Sequence, residues 1–144
     1  MGGGGGRVPG INGVNWRRLA GAQASWAGEK GTRTTQWFFF LFFVLGDQPV
    51  EIDMIVGKDR EGFFTNGLTL GAKKCSVIRD SLYVDGDCTM DIRTKSQGGE
   101  PTYNVAVGRA GRVLVFVMGK EGVHGGGLNK KAYSMAKYLR DSGF

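Results

Sequence analysis

Nine consecutive apolar residues, Trp37 to Leu45 (WFFFLFFVL), limit what this chain can fold into. A helical crossing of a bilayer takes about 20 such residues, so the run is too short to span one. It lies behind 36 residues without a compact basic start, too deep for the core of a secretion signal. High β propensity without charge or proline makes the run an aggregation hazard unless it is buried. The chain is therefore read as cytosolic, without a transmembrane segment.

At 144 residues with 41% hydrophobic side chains, one domain with a real core is expected. The net charge of +6 favours acidic partners. Basic residues never run longer than two, which argues against a nucleic-acid arm. Cys75 and Cys88 are too few for a secreted disulfide scaffold and are read as free thiols. No N-glycosylation sequon occurs, and MGGGGG lacks the Ser or Thr of a myristoylation signal.

The chain changes character near Gly46. Residues 1 to 36 hold ten of the 26 glycines and keep no helical or strand period. Trp16 and Trp26 have no apolar neighbours at useful spacing there, and disorder or weak structure is expected. From Val50 the pattern is that of a mixed domain. Pro49 opens a short helix, VEIDMIVGK, with Asp47 near its start and Ile52, Ile55 and Val56 on one face. GFFTNGLTLG reads as a hairpin turning at Asn66-Gly67. Lys74 to Asp80 reads as a strand, with Cys75, Val77 and Arg79 opposite Ser76 and Ile78. In TMDIRTK, Met90 and Ile92 oppose Asp91, Arg93 and Lys95. TYNVAVGRAGRVLVFVMG reads as two strands, and Val113 to Met118 suits a central strand covered on both faces. A final helix, capped by Asn129, turns Ala132, Met135, Ala136 and Leu139 inward, with Lys130, Tyr133 and Lys137 on another face. Helix, antiparallel strands, helix gives an α+β class.

Catalytic chemistry finds little support. HGGG at His124 to Gly127 matches an esterase oxyanion loop, but no G-x-S-x-G elbow accompanies it. GGGLNKK lacks the Gly-Lys-Ser/Thr ending of a phosphate loop. The single histidine and two distant cysteines do not make a zinc site. A binding module with no cofactor and no metal is expected, not an enzyme.

VGKDREGFFTNGLTLG, KKCSVIRDSLYVDGDCTMDIRTKS, PTYNV and MGKEGVHGGGLNKKAYSMAKYLRDSGF resemble profilin, and most of all its neuronal vertebrate isoform. The resemblance runs unbroken through 94 of the 144 residues, 51 to 144. It implies an antiparallel sheet between helices, and a cytoplasmic, cytoskeletal protein that holds monomeric actin, promotes its nucleotide exchange and regulates its polymerisation. The positions matching profilin's actin-binding surface are Phe64, Lys74, Ser76, Val77, Arg79, Arg93, Lys95, Thr102, Asn104, Val123, His124, Gly126, Asn129, Lys130 and Tyr133. By burial tendency alone Val77 is as well placed in the core as at a contact. The resemblance also implies peripheral phosphoinositide binding, through Arg93, Lys95, Lys130 and Arg140.

Before about residue 50 the chain departs from the family. Profilins begin with a helix whose Trp and Tyr form half of a groove for proline-rich peptides, and two strands follow. Those motifs are absent, so the N-terminal helix and first strands of the fold are missing or replaced. Only Tyr138 and Phe144 match the groove, which predicts weak binding of proline-rich proteins. The division expected is a Gly-rich, non-family segment, 1–49, and an incomplete profilin domain, 50–144. WFFFLFFVL either replaces a lost strand or pairs between chains. Its codons would resemble the pyrimidine tract before a splice acceptor, which suggests an alternative start for residues 1–49. A poorly folded product without its own activity is the remaining alternative.

Overall fold

A computed structural model of the chain describes residues 10–11, 13–20, 24–30, 37–46, 49–120 and 122–144. The glycine run at the start, and Asp47, lie outside these residues, as do the side chains of Trp26 and Trp37. Short strands β1 (Gly10–Ile11) and β2 (Val14–Asn15) form a two-stranded ribbon leading into helix α1 (Trp16–Ala20). Then come β3 (Ala24–Lys30), β4 (Trp37–Val44), α2 (Val50–Val56) and α3 (Phe63–Asn66). Strands β5 (Leu68–Leu70), β6 (Lys73–Ser81), β7 (Thr89–Thr94), β8 (Asn104–Arg109) and β9 (Val113–Gly119) precede the long helix α4 (Gly125–Asp141). Seven strands form one antiparallel sheet in the order β3-β4-β9-β8-β7-β6-β5.

The apolar run is strand β4, seated between β3 and β9. Of the two outcomes the sequence allowed, it fills a strand position. Its neighbour β9 is buried at every residue, as VLVFVMG predicts for a central strand. Alternation then divides two cores. Leu114, Phe116 and Met118 of β9, with Leu41 and Phe43 of β4, face α2 and α1. Val113, Val115 and Val117, with Phe40 and Phe42, face α4. Pairing Leu41 with Phe116 and Phe40 with Val117 keeps each set on its own side, and a one-residue slip would reverse both.

Trp16 and Leu19 are completely buried in the first core, where the sequence suggested weak structure. The partner of Trp16 is Phe116, 100 residues on, whose ring it meets edge-on at 5.9 Å. No local period could reveal that pairing. Asn15 caps α1 by accepting a hydrogen bond from Arg18 N at 3.0 Å.

The hairpin expected at Asn66-Gly67 lies elsewhere. FFTN forms the turn of helix α3, and Gly67 stops it at φ +67° with its N–H on the Phe63 carbonyl. The true two-residue loop is Gly71-Ala72, both with positive φ, as a tight hairpin of right-twisted strands requires. Helix α4 also begins four residues before the expected cap at Asn129. His124 holds the cap position without a side-chain bond, and three glycines form the first turn. Glycine costs about 1 kcal/mol per helical position relative to alanine. Packing of Leu128, Ala132 and Ala136 against β8 and β9 offsets it.

Candidate functional site

The bulge in β6 decides which side chains share a surface. Cys75 and Val77 point into the first core, opposite Thr94 and Ile92. The register then shifts between Val77 and Arg79, leaving Ile78 as the extra residue. Arg79 therefore pairs with Asp91 and joins the α4 side of the sheet, with Ser76, which pairs with Arg93. Strict alternation had placed Arg79 with Cys75 and Val77, because an inserted residue leaves no mark in the period.

On that side Arg79 is the hub of a network. Its Nε donates to Asp91 Oδ2 at 3.1 Å, its Nη1 to Asp87 Oδ2 at 3.0 Å, and its Nη2 to the Thr89 hydroxyl. Desolvation opposes the charge on Arg79, but hydrogen bonds and attraction from Asp91 and Asp87 outweigh it and raise its pKa. From α4, Asn129 Nδ2 donates to Asp91 Oδ1 at 2.8 Å and to Thr89 Oγ1 at 3.1 Å. Asn129 is thus a tertiary clamp rather than a helix cap. A second link runs from Arg93 Nε to Asn104 Oδ1 at 3.1 Å, and from Asn104 Nδ2 to the Val123 carbonyl at 3.0 Å. These bonds tie β6, β7, β8 and the start of α4 into one face.

Most of the residues assigned to actin lie on this face. Lys74, Arg93, Lys95, Thr102, His124, Gly126 and Lys130 are exposed, while Ser76, Arg79, Asn104, Asn129 and Tyr133 are half-buried. Phe64 projects from α3 and is 62% exposed. Val77 and Val123 are turned inward, so they shape the face from beneath. Of the residues assigned to phosphoinositides, Arg140 stands apart. Its Nη1 donates to the Arg109 carbonyl at 2.7 Å, at the opposite end of β8 from Asn104 and Arg93. Five residues of strand separate those ends by about 17 Å. Tyr138 is 66% exposed on α4, and Phe144 closes the chain with its carbonyl on Arg112 N and its ring beside the Arg112 guanidinium.

Several supporting residues escaped the sequence analysis. Arg60 forms a two-point pair with Asp80, at 2.7 and 3.0 Å, and stacks on Phe63 and Tyr83. Glu51 accepts from Thr69 Oγ1 at 2.6 Å and from the amides of Gly71 and Ala72, fastening α2 to the β5–β6 hairpin. Lys73 pairs with Glu100 at 2.7 Å. Opposite charges twenty or more residues apart carry no sequence signal of their partnership. Burial pushes the Cys75 thiol up to about 12, which leaves it unreactive. Among the described residues no cluster of three metal-ligating side chains occurs, and no helix is long and apolar enough to cross a membrane.

A sheet packed by helices on both faces, with this network at one end, matches a known family. A family model described as Profilin fits residues 19–144. This chain belongs to the profilin family. Profilin-2 of Homo sapiens is 99% identical to it over 96 residues, which are 67% of this chain and 69% of that protein. Profilin-1 of Bos taurus is 63% identical over 94 residues, 65% of this chain and 67% of that protein. Among solved structures, mouse Profilin IIa in complex with a double repeat from the FH1 domain of mDia1 superposes with a TM-score of 0.66 at 99% identity, covering 67% of this chain and 70% of that one. The profilin model starts at residue 19, so its span is longer than the 96 residues of the pairwise match and takes in β3 and β4. Profilins are non-enzymatic, actin-binding proteins.

Proposed function

We propose that this chain binds monomeric actin and regulates its polymerisation in the cytoplasm, through the face built by β6, β7, β8 and the start of α4. One observation carries the proposal: the Arg79–Asp91–Asn129 network ties together β6, β7 and α4, whose side of the sheet carries the exposed bases Lys74, Arg93, Lys95 and Lys130. Such a surface suits an acidic partner, and half-buried Tyr133 supplies an aromatic anchor within it. Tyr133→Ala and Lys130→Glu each weaken binding to actin monomers; truncating such an anchor costs about 2 kcal/mol or more at a hot spot. A gel-filtration shift with purified actin checks this. Wild-type affinity in both variants would reject the placement, and no shift with a well-folded chain would reject actin binding itself.

Binding of proline-rich peptides is weak in this proposal. A similar profilin was solved with an FH1 repeat, but here Trp16 is buried beside Phe116 in the core opposite α4. Tyr138 and Phe144 therefore lack it as a partner. Retention on a polyproline column equal to that of an ordinary profilin is the result that counts against this.

Phosphoinositide binding is a second proposal. It is favoured by the exposed bases Arg93, Lys95 and Lys130 of this face, with Arg140 on the Arg109 carbonyl at the far end of β8. Flotation with liposomes with and without phosphoinositide tests it, and equal flotation rejects it. Residues 1–49 are in turn proposed to be an alternative start, since 99% identity to Profilin-2 covers only 96 residues. Mass spectrometry for the tryptic peptide Val8 to Arg17 tests whether the segment is translated. Its absence from tissue that contains the transcript would reject the idea.

A further inference from the structure

Helix α4 lies over β7, β8 and β9, and the sheet continues beyond it to β4 and β3. Between α4 and β4 is a groove of about 590 Å³, lined by Phe40, Lys130, Lys131, Ser134, Met135 and Tyr138. The five α4 residues follow helical spacing, so they form one stripe along the helix. From Lys130 to Tyr138 this stripe is about 12 Å long, at about 1.5 Å per residue. Phe40 and Met135 belong to the second core and give the groove an apolar floor. The lysines crowd its start, and no acidic side chain lines it among the described residues.

We propose that this groove receives an acidic amphipathic helix from another protein. A helix presenting apolar residues over two to three turns matches the length and floor of the groove, and packs at about 8–10 Å between axes. Carboxylates beside that apolar stripe meet Lys130 and Lys131. A second copy of this chain fits poorly, because it brings the same two lysines and a net charge of +6. An extended proline-rich peptide fits poorly too. It needs open aromatic faces, and Phe40 is only 8% exposed, which leaves Tyr138 as the one open ring among the described residues that line the groove.

The probe is a labelled synthetic helix of about 18 residues, with Leu at i, i+4 and i+7 and Glu flanking that stripe. A control helix has Lys at every Glu. Both are titrated against the whole chain by fluorescence anisotropy. The acidic helix binds at least about tenfold more tightly than the basic one, a difference of about 1.4 kcal/mol. Ser134→Trp fills the groove and Lys131→Glu cancels its positive charge, and each lowers affinity about tenfold. Unchanged circular dichroism melting shows that both variants fold. Three results overturn the proposal: equal binding of the two helices, undiminished binding to both variants, or displacement of the acidic helix by decaproline alone. Concentration-dependent dimerisation abolished by Ser134→Trp would assign the groove to a second copy and overturn it as well.

Discussion

Carboxylates that reach backbone amides hold much of the loop structure together. Glu51 fastens the β5–β6 hairpin, and Glu100 accepts from Gln97 N at 3.0 Å and Gly98 N at 2.7 Å as well as from Lys73. The bond from Lys73, then those from the Gln97 and Gly98 amides, push the Glu100 pKa down from 4.5 to about 2. A group depressed on folding contributes stability above its unfolded pKa and loses it as pH falls through the folded one. The stability difference between the wild type and Glu100→Gln is therefore full at pH 6. It shrinks between pH 4.5 and about 2 and is gone below. Urea unfolding at a series of pH values checks this, and a difference that grows on acidification would contradict it.

Among the elements, α4 depends on how closely it can approach the sheet. A Cβ at Gly108 in β8 would stand 2.6 Å from the Ala132 carbonyl oxygen and 3.0 Å from Ala136 Cβ. Gly108→Ala therefore forces the helix outward, at about 1–3 kcal/mol for overpacking. A shift of the urea midpoint reads it, and an unchanged midpoint would mean that α4 does not pack here. Strands β6, β7 and β9 and the inward stripe of α4 were legible from residue pattern, because burial on one or both faces imposes a period. Val113 to Met118 and Met90 with Ile92 show it directly. The β6 bulge, the Gly71-Ala72 turn and the true start of α4 were not legible. Each is settled by contacts with a distant segment: Asp91 for Arg79, Glu51 for the turn, and β8 for the glycine-rich first turn of α4.

For the whole molecule, the question is how the domain closes beside β9. Leu41 is completely buried between Phe116 and the helices of the first core. Leu41→Ala should cost about 2–5 kcal/mol, out of the roughly 5–15 kcal/mol that hold a domain folded. Equilibrium unfolding by urea measures the loss. A change within error would show that the apolar run is not an internal strand of the monomer.

The sequence by itself determined the α+β class, the buried central strand β9, the amphipathic final helix, and a profilin resemblance carried by residues 51 to 144. These follow from local periodicity and from long stretches of matching residues, both of which survive without coordinates. It also showed that Trp37 to Leu45 required burial, without saying against what. Only the tertiary structure decided that this run sits between β3 and β9, that Trp16 lies on Phe116, that Arg79 turns to the α4 side, and that Val77 is core. Each depends on partners outside the local segment, from Asp91 on the strand next to Arg79 to Phe116 far along the chain from Trp16, and a side chain's neighbours across a sheet are fixed by register, which no single segment contains.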